Sequence, residues 1–238
     1  MTIEAKTLLP CALGISLLLG GCAAPMGEEA EEEAVEAPVR LNEARLGAVL
    51  AVLRGSGARR VLDLGCGNGK LLAGLIAERQ FTEIVGADVS HRALETAARR
   101  LRLDRMASAQ RGRIHLMQTA LTYRDRRLAG FDAAAVVEVI EHLDPVRLAG
   151  FTRALFGATR PRTAVVTTPN REYNALFDGM APGATRHRDH RFEWSRDEFR
   201  AWSGGAAAVH GYDVRHVAVG PEDAELGPPT QMAVFTLR

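Results

Sequence analysis

Apolar positions along the chain keep two alternating rhythms. From Asn42 they recur at Leu46, Val49, Leu50 and Leu53, one face of a helix that Asn42 would cap and Gly55 and Gly57 would end. RRVLDLG (59–65) is then a short apolar run bounded by turn residues, which suits a buried parallel strand. A helix over 70–79, a strand EIVGAD (83–88) and a helix SHRALETAARRLRL (90–103) capped by Ser90 follow. IHLMQ (114–118), FDAAAVVEV (131–139) and TAVVTT (163–168) are further strands, with a helix PVRLAGFTRALF (145–156) before the last. SRDEFRAWS (195–203) opens a helix with a capping box, Ser195 and Glu198. YDVRHVAV (212–219) and QMAVFTLR (231–238) close the chain as an antiparallel pair. Strands alternating with helices, then a terminal hairpin, predict an α/β fold: an open, Rossmann-like sheet of seven strands with helices on both faces. Ligands in such sheets bind outside the carboxyl ends of the strands.

The start of the chain breaks this pattern. LLPCALGISLLLGGCAAP (8–25) has an apolar core, and LGGC resembles a bacterial lipoprotein processing site at Cys22. Against export, Glu4 cancels Lys6 and Pro10 interrupts the run, which is too short for a convincing membrane span. The expectation is a cytoplasmic protein without stable membrane association, lipoprotein-like export being the alternative. GEEAEEEAVEAP (27–38) reads as a solvated acidic linker. Residues 1–38 are therefore expected to lack fixed structure, and 39–238 to form one domain. The net charge of +1 hides an asymmetry, because residues 28–36 carry six glutamates and no base. The remainder is basic and rich in arginine, which leaves room for phosphate contacts. Cys11, Cys22 and Cys66 show neither a metal spacing nor a disulfide framework.

The first candidate chemistry lies in VLDLGCGNGK (61–70), between the first strand and the next helix. Gly65 and Gly67 would let the backbone turn tightly and approach a ligand. Asp63 precedes them, where a carboxylate would repel a pyrophosphate but suit an ammonium group. Asp88 ends the second strand, 21 residues beyond Gly67, where its carboxylate can accept ribose hydroxyls. Together these features resemble the S-adenosylmethionine site of class I methyltransferases. The resemblance places Asp63 near the methionine end, Gly65 and Gly67 under the cofactor, Asp88 on the ribose, and Ala120 and Leu121 beside the adenine.

The second lies in VEVIEHLD (137–144), where Glu138, Glu141 and His142 stand at i, i+3 and i+4. In one helical turn they would share a face. Two like charges in a cleft are costly unless something positive lies between them. RHRDHRFEWSRDEF (186–199), in a long insertion entered through TTPNREYN (167–174), adds His187 and His190. One of these two imidazoles would complete a set of two carboxylates and two imidazoles. Oxygen and nitrogen ligands without sulfur favour Mg²⁺ or Mn²⁺ over structural zinc.

EVIEHLD, TTPNREYN and RHRDHRFEWSRDEF, with the tail GPPTQMAVF (227–235), resemble the 3′-terminal RNA ribose 2′-O-methyltransferases of small-RNA methylation and bacterial RNA repair. The resemblance covers residues 39–238. It implies metal ligands Glu138, Glu141, His142 and His190, the last from its place in D-H-x-F-E-W, with His187 as the rival fourth ligand. It also implies methyl transfer to the 2′-hydroxyl of an RNA 3′ end, metal-dependent. His142 or His187 would take the proton, and Asn170, Arg186, Arg188 and Arg191 would meet the RNA. A polynucleotide kinase-phosphatase is the partner the resemblance suggests. Asn68 stands where the glycine loop often has an acid, and Ala120 where a small hydroxyl residue is typical. The chain looks like the methyltransferase half of the bacterial members. A metal-assisted small-molecule O-methyltransferase is the alternative function.

Overall fold

The structure, a computed structural model, describes residues 26–181 and 183–238, with side chains from Arg40 onward. The candidate export signal lies outside the described residues. The chain divides into two units between Ala37 and Pro38, and the second, Pro38–Arg238, holds every element below except the start of the first helix. Among the described residues, no helix is long and apolar enough to cross a membrane.

Helix α1 spans Met26–Gly55. It begins well before Asn42, so Asn42 lies inside a helix, not at its cap. The acidic stretch expected as a linker has helical backbone. Its composition explains the difference: Glu and Ala are strong helix formers, and low complexity does not oppose their propensity. Val49 and Leu53 of α1 are fully buried, as the periodicity predicted.

Seven strands form one sheet in the order β3-β2-β1-β4-β5-β7-β6. β1 (Arg60–Leu64), β2 (Glu83–Asp88), β3 (Ile114–Gln118), β4 (Ala133–Val137) and β5 (Thr163–Pro169) are parallel. β7 (Thr230–Leu237) lies antiparallel between β5 and β6 (Tyr212–Val219). Alternation along β1 divides the core. Leu62 and Leu64 pack with Phe151, Phe156, Phe199 and Phe235 on one face. Val61 packs with Val49, Leu53, Leu72, Leu75 and Leu94 on the other. α1, α2 (Lys70–Ala77) and α3 (His91–Arg100) thus cover one face. A short helix α4 (Ser108–Arg111) precedes β3.

The other face is covered by α5 (Pro145–Thr152) and α6 (Arg196–His210). The helix expected over 145–156 changes pitch: after Thr152 the chain continues as a π-helix, Arg153–Thr159, which Arg160 ends at φ 48°. The capping box of Ser195 and Glu198 is present, and α6 runs on to His210. Strand order reverses between β1 and β4, so a crevice opens at their carboxyl ends. β5, buried along its whole length, is β4's other neighbour.

Candidate active site

Asp63, in β1, is 2% exposed. Its Oδ2 is buried without a hydrogen-bond partner. Burial, and then the charge of Asp88, push its carboxyl up to about 7. The turn that follows places Gly65 at φ 81° and Gly67 at φ 51°, where an L side chain is strained. A Cβ at Gly65 would strike Val139, whereas one at Gly67 would meet nothing within 4 Å. The space beside Gly67 is therefore open to a ligand. Gly67 N donates to Asp88 Oδ2 (2.9 Å) and Ser90 N to Asp88 Oδ1 (2.8 Å). Asp88 thus pins the glycine turn to the cap of α3, and each oxygen keeps a lone pair for a further donor. Ala120 and Leu121 are half-buried just beyond β3.

The second cluster forms differently from the expected helical turn. β4 ends at Val137, and Glu138 adopts φ 53°, so the chain turns sharply before a 3-10 helix, Ile140–His142. Glu138 and Glu141 are held instead by consecutive threonines of β5. Thr167 Oγ1 donates to Glu138 Oε1 (3.0 Å) and Thr168 Oγ1 to Glu141 Oε2 (3.0 Å). The parallel register that sets Val137 beside Thr167 brings them into reach. From α1, Arg45 Nη2 lies 3.2 Å from Glu138 Oε2 and also donates to Thr230 Oγ1 (3.0 Å).

Glu141, His142 and His190 come together, with one ligand atom of each within 4.8 Å of the others. Glu138 is not in this trio, although its charge bears on Glu141. Burial, and then Glu138, push the Glu141 carboxyl well above the usual carboxylate range. Burial also raises that of Glu138, against the pull of Arg45. His187 stays at the rim: its ring centre lies 6.4 Å from that of His142 and 5.7 Å from that of His190.

Each member of the trio has one atom held and another left over. Glu141 Oε2 accepts from Thr168, and Oε1 is buried without a partner. His142 Nδ1 lies 3.3 Å from Asp189 O, and His190 Nδ1 lies 2.5 Å from Glu193 Oε1. Carbonyl and carboxylate oxygens accept, so each Nδ1 is placed to donate, and in the neutral ring that leaves Nε2 as the basic nitrogen. An orphaned carboxylate oxygen beside two basic imidazole nitrogens fits a divalent cation.

Of the expected RNA contacts, two are taken up inside the fold. Asn170 is fully buried; its Nδ2 donates to Leu226 O (2.7 Å) and Pro228 O (2.8 Å). Arg186 donates to Asn174 Oδ1, Pro229 O and Asn170 O at 2.6–2.7 Å. Both side chains staple the long insertion onto the segment before β7. Arg188 and Arg191 are exposed, with their nearest carboxylates, Asp189 and Asp144, at 3.9 and 3.8 Å. The sequence reading passed over Arg45, Thr167, Thr168, Asn174 and Glu193. Thr167, Thr168, Asn174 and Glu193 stand inside quoted motifs, but Arg45 gives no signal beyond a polar position on α1.

Sheet order, glycine turn and the acid that ends β2 define a methyltransferase-type α/β domain. A family model described as a methyltransferase domain matches residues 62–164. The chain is 50% identical to the methyltransferase domain of bacterial CtHen1, in the structure of its CN form, with a TM-score of 0.77 over 83% of this chain and 100% of that one. It is 37% identical to the small RNA 2′-O-methyltransferase of Mus musculus over 186 residues, 75% of this chain and 46% of that protein. A chain of the Pnkp1/Rnl/Hen1 RNA repair complex, 18% identical at a TM-score of 0.62 over 88% of this chain and 47% of that one, shares the fold. The chain spans about half the length of the mouse relative. It belongs to the family of Hen1 methyltransferase domains, the small RNA 2′-O-methyltransferases.

Proposed function

We propose that this domain transfers a methyl group from S-adenosylmethionine to the 2′-hydroxyl of the 3′-terminal ribose of RNA, with one divalent cation, Mg²⁺ or Mn²⁺. The observation that carries this reading is the convergence of Glu141, His142 and His190 beyond β4, one ligand atom of each within 4.8 Å of the others, with Glu141 Oε1 left without a partner. The family relation supplies the acceptor class.

On the donor side, the partnerless oxygen of Asp63 suits the ammonium group of a methionine moiety. Gly67 leaves room for the cofactor; Asp88 would meet its ribose, and Ala120 and Leu121 would border its adenine. On the acceptor side, Glu141, His142 and His190 would hold the cation, with Glu138 beside them. A divalent cation bound there would lower the pKa of a ribose hydroxyl and orient it. Arg45 pairs with Glu138 and fixes its direction. His187 is the candidate proton acceptor; its Nδ1 now faces Asp189 N at 3.3 Å and would give up that contact. Exposed Arg188 and Arg191 suit the terminal phosphates. The fold shared with a chain of a Pnkp1/Rnl/Hen1 complex supports an end-healing kinase-phosphatase partner.

The test is methyl transfer to RNA ending in a 2′,3′-diol, a 2′-deoxyribose or a 3′-phosphate, with and without EDTA. Product is expected from the diol alone, lost in EDTA and restored by Mn²⁺. Transfer to catechol-like acceptors, with none to RNA, would overturn the reading.

A further inference from the structure

Behind His190 lies a carboxylate that the scheme above leaves without a role. Glu193 has a side chain with no solvent exposure, yet it is fully partnered. Its Oε1 accepts from His190 Nδ1 (2.5 Å) and from the backbone N of Arg186 (2.7 Å), and its Oε2 from Asn174 Nδ2 (2.5 Å). Asn174 is fixed in turn, its Oδ1 accepting from Arg186 Nε at 2.6 Å. A parallel bridge between Asn170 and Trp194 closes the base of the same insertion.

This arrangement holds one imidazole from behind, through its Nδ1. His142 has only a neutral carbonyl, Asp189 O, in the same position. The two imidazoles of the trio are therefore unequal.

We infer that Glu193 is a positioning residue that aims His190 Nε2 at the cation and strengthens it as a ligand through a charge-assisted Nδ1–H hydrogen bond. This rests on the cation site proposed above. Without Glu193 the ring is free to rotate or to take the other tautomer, in which Nε2 carries the proton and cannot ligate. Supporting groups of this kind are worth about 10- to 100-fold in metal affinity.

The experiment is Mn²⁺ titration of the whole chain followed by electron paramagnetic resonance, on wild type, Glu193→Ala and Glu193→Gln. Calorimetric S-adenosylmethionine binding and thermal melting are measured alongside. Glu193→Ala should weaken Mn²⁺ binding by about 10- to 100-fold with cofactor affinity unchanged. Glu193→Gln, whose amide oxygen can still accept from Nδ1, should lose less. Unchanged Mn²⁺ affinity in folded Glu193→Ala, with a lowered melting temperature alone, overturns the inference and leaves the cation site standing. Wild type that binds no Mn²⁺ overturns both. Should the variants not fold, nitrogen NMR of wild-type histidines decides: protonated Nδ1 in His190 supports the role, and protonated Nε2 overturns it.

Discussion

A Cβ built on Gly65 would lie 2.5 Å from Cγ2 of Val139. These two residues join the halves of the site, because Gly65 opens the glycine turn and Val139 follows Glu138, whose positive φ starts the acidic turn. Real Cβ atoms do not approach so closely, so any side chain at Gly65 must displace the side chain of Val139, between Glu138 and Glu141.

Gly65 and Gly67 should therefore respond differently to alanine. Both lie at positive φ, which costs about 1–2 kcal/mol for an L residue. Gly65→Ala adds the collision with Val139 and should lose stability, cofactor affinity and Mn²⁺ affinity together. Gly67→Ala meets open space and should lose mainly cofactor affinity. Thermal melting with separate binding titrations checks this; equal effects on all three quantities in Gly67→Ala would contradict it.

Asp63 makes stability depend on pH. Its carboxyl titrates near 7 in the folded chain, against an ordinary value of 3.8. Between these values the native state holds a proton that the unfolded chain has lost, so stability falls as pH rises through that window. Asp63→Asn removes the effect. Relative to wild type, the variant should gain about 2–3 kcal/mol between pH 5 and pH 8 in urea unfolding. A constant difference across that range would show that Asp63 ionises normally.

The arginines of the insertion should separate into two kinds. Arg186→Ala breaks contacts to Asn174, Pro229 and Asn170 and should lower the melting temperature, and Arg186→Lys should not restore it. Arg188→Ala and Arg191→Ala should leave melting unchanged. Each should weaken binding to single-stranded RNA and reduce the slope of log affinity against log salt by about 0.7. Salt titrations of RNA binding check this, and an unchanged slope would remove either residue from the interface.

The partnerless Glu141 Oε1 predicts that a fitting cation stabilises the fold. Mn²⁺ at a hundred times its dissociation constant should add about 2.7 kcal/mol, a rise of roughly 5–10 °C in melting temperature. Glu141→Ala should abolish the rise, and differential scanning calorimetry reads both.

The sheet was legible because burial leaves a local trace. β2 and β3 occupy the residues that apolar runs predicted, and Ser195 with Glu198 forms the expected capping box. Other features depend on residues far apart in sequence. Helical spacing of Glu138, Glu141 and His142 suggested one helix face, but the strand-to-helix turn puts Glu138 at positive φ, and threonines of the neighbouring strand set the carboxylates. Arg186 looked like a phosphate ligand because charge is visible in a sequence, whereas the backbone carbonyls that take it up are not. Arg45 was invisible for the same reason: its partner Glu138 lies on another element and nothing local marks the pair. Low complexity marks the acidic stretch as solvated but does not report its backbone, which is helical in keeping with the propensity of Glu and Ala.

The most direct measurement is an anomalous difference map from a crystal of the chain soaked in Mn²⁺. One peak per chain is expected, about 2 Å from Glu141 Oε1, His142 Nε2 and His190 Nε2. A Mn²⁺ peak elsewhere with none at this cluster, or a fully soaked crystal with no peak, would contradict the metal centre on which the proposed chemistry rests.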